Sequence, residues 1–252
     1  MGTKIISQSL APWNTKIAPP VANGLVGWFN FDTDVSRFNF NRAIDGVNAS
    51  VIGVPALGNG FGTFTSLSAY LQTDISETDE MTIIALCKSN GVIPGGASSG
   101  GDANTPAFVT NYIGQAVTPG YTGNALGVGM FATNPLVLTG FAARDNGSGG
   151  VTVGGASVNP DTVANWGVRG VRITGALTTA FNRTTNVEAS SANTTKRVRN
   201  NKKLMIGSTT TSFAGKADIS AVAIYQRALS NEEIDKIAAF MRIRAARFGI
   251  SA

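Results

Sequence analysis

The segment Gly215–Ile234, GKADISAVAIYQRALSNEEI, decides the fold. In its first half Ile219, Ala221, Ala223 and Tyr225 fall on one side of a period-two pattern, and Ser220, Val222, Ile224 and Gln226 on the other. Apolar groups on both faces predict a strand buried from both sides, as in a sandwich. The second half predicts a helix beginning at Ser230. The Ser230 hydroxyl can accept from the Glu233 amide while the Glu233 carboxylate reaches back to the Ser230 amide, a reciprocal capping box. Beyond it, Ile234, Ile237, Met241, Ala245 and Phe248 recur at helical spacing and make one apolar stripe. Glu232, Glu233 and Asp235 stand in the first turn and Arg242, Arg244 and Arg247 near the end, each sign placed favourably for the helix dipole.

Upstream, from Gly24 to Arg227, the pattern is all β: short runs of Val, Ile, Thr and Phe between clusters of Gly, Asn, Asp and Pro. Candidate strands cover 25–31, 48–54, 61–65, 67–73, 81–88, 106–112, 125–131, 136–143, 163–174, 176–182, 203–207 and 217–226. So many short strands predict two packed antiparallel sheets. The stretches 91–104 and 144–159 read as glycine- and serine-rich loops. Residues 1–23 hold Pro12, Pro19, Pro20 and a lone Trp13 and read as an extended arm. The expected organisation is therefore an arm (1–23), a sandwich (24–229) and a helix with its tail (230–252). Trp13 and Ile17 on the arm, with Met241 and Phe248 on the helix, are candidate assembly contacts, against the alternative that both elements pack on their own sandwich.

Several of these stretches, taken in order, carry a resemblance. Gly24–Asp32 (GLVGWFNFD) resembles an opening strand, Ala56–Thr73 a glycine-rich turn leading into a second strand, and Met81–Lys88 (MTIIALCK) a long central strand. Trp166–Thr174 and Lys203–Gly207 resemble the strands that follow, and the strand ending in Tyr225 with its Ala-Leu-Ser-x-x-Glu-Ile sequel resembles the last strand and turn. Together they resemble laminin-G-like, concanavalin-type jelly-roll domains. The tryptophan common near the end of that family's central strand is absent, and residues 91–160 match nothing in it. The resemblance implies an all-β jelly roll.

Composition narrows the chemistry. Of 252 residues, 43% are hydrophobic, 14% charged and 30 are glycine, so there is apolar material for a core and a mostly neutral polar surface. No apolar run is long enough to suggest a membrane span, and no basic segment with a following apolar stretch marks a secretory signal. The chain has no histidine and a single cysteine, Cys87, in an apolar strand. Ser-His-Asp and Cys-His catalysis and cysteine zinc sites are excluded. The Glu-x-Asp-x-x-Glu motif of jelly-roll glucanases is missing, and Asp32 and Asp34 read as turn caps or solvated charges. The expectation is therefore a non-enzyme without a cofactor. A calcium site, of the kind relatives form from loop aspartates, stays open as an alternative without a locatable position.

Five positive charges fall between Lys196 and Lys203, without interleaved aromatics for base stacking. They read as a solvated hairpin or an ion-pairing patch rather than a nucleic-acid surface. Tyr112, Tyr121 and Trp166, near loops, are the candidate glycan or partner contacts. The fold resemblance, with no export signal and no disulfide, leads to one expectation: an oligomeric bacteriophage virion component of tail fibre, spike or capsid decoration, made in the host cytoplasm, whose partners are other virion proteins. The alternative is a lectin-like module that binds a cell-surface glycan. Neither nucleic acid nor membrane is an expected partner.

Overall fold

The computed structural model describes residues 16–93, 104–192 and 195–252. Trp13 and most of the arm lie outside the described residues. In chain order the strands are β1 Leu25–Asn30, β2 Ser50–Ile52, β3 Ala56–Leu57, β4 Gly62–Thr65, β5 Tyr70–Ser76 and β6 Met81–Asn90. Then come β7 Ala107–Thr110, β8 Gly114–Gln115, β9 Asn124–Ala125, β10 Val128–Asn134, β11 Val137–Asp145 and β12 Val151–Val158. The set ends with β13 Gly167–Ile173, β14 Leu177–Asn182, β15 Val187–Ala192, β16 Lys203–Ile206 and β17 Lys216–Tyr225, followed by helix α1 Asn231–Ala246.

The protein is a β-sandwich of two large antiparallel sheets with a C-terminal helix. Sheet A runs β15-β14-β13-β6-β17-β4-β3, and sheet B runs β12-β11-β10-β7-β16-β5-β2. The apolar layer between them is filled by side chains such as Phe29, Phe64, Ile83, Phe108, Met130 and Val222. Sheet A is buried on its other face too, where Trp28, Ile84, Leu86, Ala223 and Tyr225 pack against Ile234, Ile237 and Met241 of α1.

β17 is the strand on which this arrangement turns. β6 pairs with it along its whole length, while its other edge is shared end to end by β4 and β1. The change of partner falls at a bulge between Ile219 and Ala221. There the Ser220 hydroxyl donates to the Gly60 carbonyl at 2.7 Å and the Ser220 carbonyl accepts from Phe31 N at 3.0 Å. The extra residue shifts the alternation: Ile219 faces the inter-sheet core with Val222 and Ile224, while Ala221, Ala223 and Tyr225 face the helix. A strict period of two therefore places Ile219 on the wrong side.

Helix α1 starts as its sequence dictates. Ser230 caps it, with both halves of the capping box formed, and Arg227 grips Glu233, holding that carboxyl down at about 2. Its apolar stripe faces sheet A, where Met241 is 1% exposed. Phe248 and Ile17 are partly buried in the same cluster. Met241, Ile17 and Phe248, candidates for assembly, thus pack within their own chain. Arg244 of the helix also pairs with Asp32 at the end of β1, whose side chain is fully buried; Asp34 instead caps the short turn at 35–37 by accepting from Ser36 N at 2.7 Å.

Besides the two-residue β3 and β8, two longer strands lie where the sequence reads otherwise. β12 occupies much of the stretch read as a loop at 144–159, and β15 follows β14 in a region with no expected strand; it carries Glu188. Both were concealed by composition. β12 pairs with β11 through Gly154 and Gly155, and a Cβ at Gly154 would lie 3.1 Å from the fully buried Arg144 side chain. Replacing Met241 with Ala removes packing that belongs to the monomer, so it should lower unfolding stability by about 2–5 kcal/mol in urea denaturation without altering solution mass; an unchanged stability with a smaller assembly would contradict this placement.

Candidate functional site

A cavity of about 750 Å³ opens beside sheet A, where Lys88 of β6, Asn182 of β14, the 160–166 segment and the C-terminal Gly249 and Ser251 come together. Its floor is an ion pair. The Arg169 guanidinium donates through Nε and Nη2 to Asp161 at 2.7–3.1 Å, with both side chains at most 1% exposed. Asn182 donates to the same carboxylate at 3.1 Å. The other guanidinium hydrogens go to the carbonyls of Cys87, Asn165 and Thr162 at 2.6, 3.1 and 3.0 Å. Loop 160–166 is thus wrapped around one buried fork, which fixes its course where strand geometry cannot. Gly167 leaves the room: a Cβ there would stand 2.9 Å from the guanidinium.

Trp166 is the last residue of this wrapped loop, half-buried, with its indole lining the cavity. Phe61 packs edge-on to it with centroids 5.2 Å apart, and the Lys88 ammonium lies 5.3 Å from the ring centroid. Lys88 is held there by Asp218 at 3.4 Å, itself fixed by bonds from Thr63 and Asn90, both 2.7 Å. The carboxylate of Asp161 is consumed by its partners, so the charged group that the cavity presents to solvent is the partly exposed ammonium of Lys88, which Asp218 offsets from the far side of the contact. Around it, the side chains of Thr162, Asn165, Thr185 and Ser251 line the cavity and form no hydrogen bond among the described residues. The arrangement offers a half-buried indole with an ammonium over its ring, and several uncommitted hydroxyl and amide groups.

The other two candidate aromatics are elsewhere. Tyr112 makes edge contacts with Phe141 and Phe213 at 6.2 and 5.1 Å. Tyr121 donates its hydroxyl to Asp145 at 2.9 Å, and that bond pushes its own ionisation up. Neither lines this cavity. The partners of Trp166 were not legible as a site in the sequence: Lys88, Asp161, Arg169 and Asn182 are far apart along the chain, and the only local signal was an Asn-Pro-Asp turn ahead of a lone tryptophan. Cys87 donates no reactivity here, since burial pushes its thiol up to about 12. Among the described residues, no three Cys, Asp or Glu side chains converge as a metal group would require.

No family model and no curated protein matches this sequence. Solved structures do match. The Trypanosoma rangeli sialidase superposes with a TM-score of 0.59 at 13% identity, over 87% of this chain and 33% of that one. The same sialidase in complex with sialic acid gives 0.56 at 12%, over 85% and 32%. The binding domain of botulinum neurotoxin DC in complex with SialylT gives 0.57 at 8%, over 88% and 52%. The likeness is one of fold. The chain spans about a third of the sialidase and about half of the toxin domain.

These neighbours correct one expectation. The missing histidine and the missing carboxylate motif point to a non-enzyme, yet the chains that contain this fold over about a third of their length include a sialidase and a mutant of it displaying trans-sialidase activity. The exclusion was too narrow physically, because sialidases work with a tyrosine nucleophile and need neither feature.

The buried floor yields a stability prediction. Asp161→Asn leaves Arg169 charged and unpaired in the interior, and should cost about 3–5 kcal/mol in chemical denaturation. Replacing both partners, Asp161→Leu with Arg169→Met, should recover part of that loss. A single replacement without effect would contradict the floor described.

Proposed function

We propose that this chain is a carbohydrate-binding β-sandwich of the concanavalin-like kind and that the Trp166 cavity takes a sugar bearing an acidic group. The observation that carries the reading is the Trp166 indole with the Lys88 ammonium set 5.3 Å from its centroid at a cavity lined by free hydroxyls and an amide. A pyranose has an apolar face that stacks on an aromatic ring and a hydroxyl rim that needs donors and acceptors. A sugar carboxylate adds a charge-assisted bond to an ammonium. The neighbours in fold, a sialidase in complex with sialic acid and a toxin binding domain in complex with SialylT, support the same ligand class.

Glycan recognition, the second reading from the sequence, takes precedence here over virion assembly. The apolar stripe of α1, on which assembly leaned, is spent on sheet A, and a cavity suited to a sugar lies beside it.

A glycan array spanning neutral and sialylated structures tests this. Binding should concentrate on acidic glycans. Trp166→Ala should weaken it at least about tenfold, equivalent to about 1.4 kcal/mol, and Lys88→Gln should weaken acidic ligands more than neutral ones. Release of sugar is assayed in parallel, and turnover that disappears in Trp166→Ala would locate hydrolysis at the same cavity. No binding at millimolar glycan, or binding indifferent to Trp166, would overturn the proposal.

A further inference from the structure

The basic run at 196–203 is largely neutralised by its own chain. Arg197 is held by the buried Glu77 at 2.6 Å, Arg199 by Asp79 at 3.1 Å and Lys203 by Asp74 at 3.4 Å. Lys196 stands over the Tyr121 ring. Lys202 is different: it is exposed, has no side-chain partner among the described residues, and borders a cleft of about 390 Å³. The cleft lies on the outer face of sheet B, since Ser50, Gln72 and Asp74 alternate with the core-facing Val51, Leu71 and Ile75. A second hollow of about 440 Å³ adjoins it and shares Asp74 and Lys203.

We propose that this cleft is a second ligand site, independent of the Trp166 cavity, and that it takes the carboxylate of an acidic saccharide. The Asn48 side-chain oxygen accepts from Asn41 N at 3.0 Å, and the Asn201 side-chain oxygen accepts from Gln115 N at 3.2 Å. A backbone N–H can only donate, so each bond identifies the oxygen and turns the NH₂ group away from it. Neither NH₂ has a partner among the described residues, and both residues line the cleft. Gln72 is held the opposite way, its nitrogen donating to the carbonyls of Thr73, Lys203 and Leu204 at 3.2–3.4 Å.

The residues that line the cleft therefore include two amides whose NH₂ groups have no partner among the described residues, with the Lys202 ammonium and the Ser50 hydroxyl. Against them stand one amide oxygen and a carboxylate, Asp74, already paired with Lys203. A ligand that fits must bring more acceptors than donors and carry negative charge, together with hydroxyls for the remaining polar groups. A sugar acid meets each requirement. Because the amides are fixed by backbone bonds, they lose little freedom when the ligand arrives.

The test is calorimetric titration of the full chain with a galacturonate tetramer, with its methyl ester as the uncharged control, on the parent protein and on Trp166→Ala. The expected result is saturable binding of the free acid that survives Trp166→Ala, weakens with added salt and exceeds that of the ester. Lys202→Ala should weaken it at least about tenfold. Asn201→Asp should do the same while keeping the oxygen that holds Gln115 N, and circular dichroism should show an unchanged fold. No binding at millimolar tetramer, binding unaffected by both replacements, or binding lost in Trp166→Ala would overturn the proposal; the last would assign the tetramer to the other cavity.

Discussion

The burial of β17 on both faces is the constraint on which the rest of this structure depends. A strand with Val222 and Ile224 on one side and Ala223 and Tyr225 on the other needs apolar cover twice. Sheet B supplies one layer, and α1 supplies the other. Small residues at Ala221 and Ala223 let the helix approach closely, and the Tyr225 hydroxyl, which would be costly to bury unpaired, donates to the Val21 carbonyl at 2.9 Å. The helix is thus part of the fold's third layer, and its C-terminal extension brings Gly249 and Ser251 to the rim of the Trp166 cavity.

What could be read from the sequence follows from the same physics. β17 and the capping box were legible because each is local: a period of two, and a four-residue span whose end side chains, Ser230 and Glu233, satisfy each other's amides. The bulge at Ser220 was not, because it is set by the two strands that share the far edge of β17. β12 was lost for a related reason. Its glycines look like loop residues, but Gly154 is small because the Arg144 side chain lies beneath it, donating to the carbonyls of Thr174, Gly175, Leu177 and Thr195.

Buried arginines mark the limit of reading charge from composition. A net charge of +5 counts every arginine alike. Yet Arg169, Arg197 and Arg144 are interior groups that tie loops to the sandwich through carboxylates or carbonyl cages. Such pairs contribute little net stability relative to an apolar filling. Their effect is geometric: through one planar fork Arg169 holds both Asp161 oxygens and the carbonyls of Thr162 and Asn165 in a single loop. Beside the Trp166 cavity it holds loop 160–166 to one course, the kind of support that preorganises a site.

The central claim, that a sugar settles against Trp166, is tested most directly by nuclear magnetic resonance of the indole N–H groups during titration with sialyllactose. Trp28 is an internal reference, since it is fully buried and its indole donates to Asn30 at 3.1 Å. The account predicts a saturable shift of the Trp166 resonance, assigned by its absence in Trp166→Phe, with the Trp28 resonance unmoved. A Trp166 resonance that stays in place at millimolar sugar, or one that moves only together with Trp28, would contradict it.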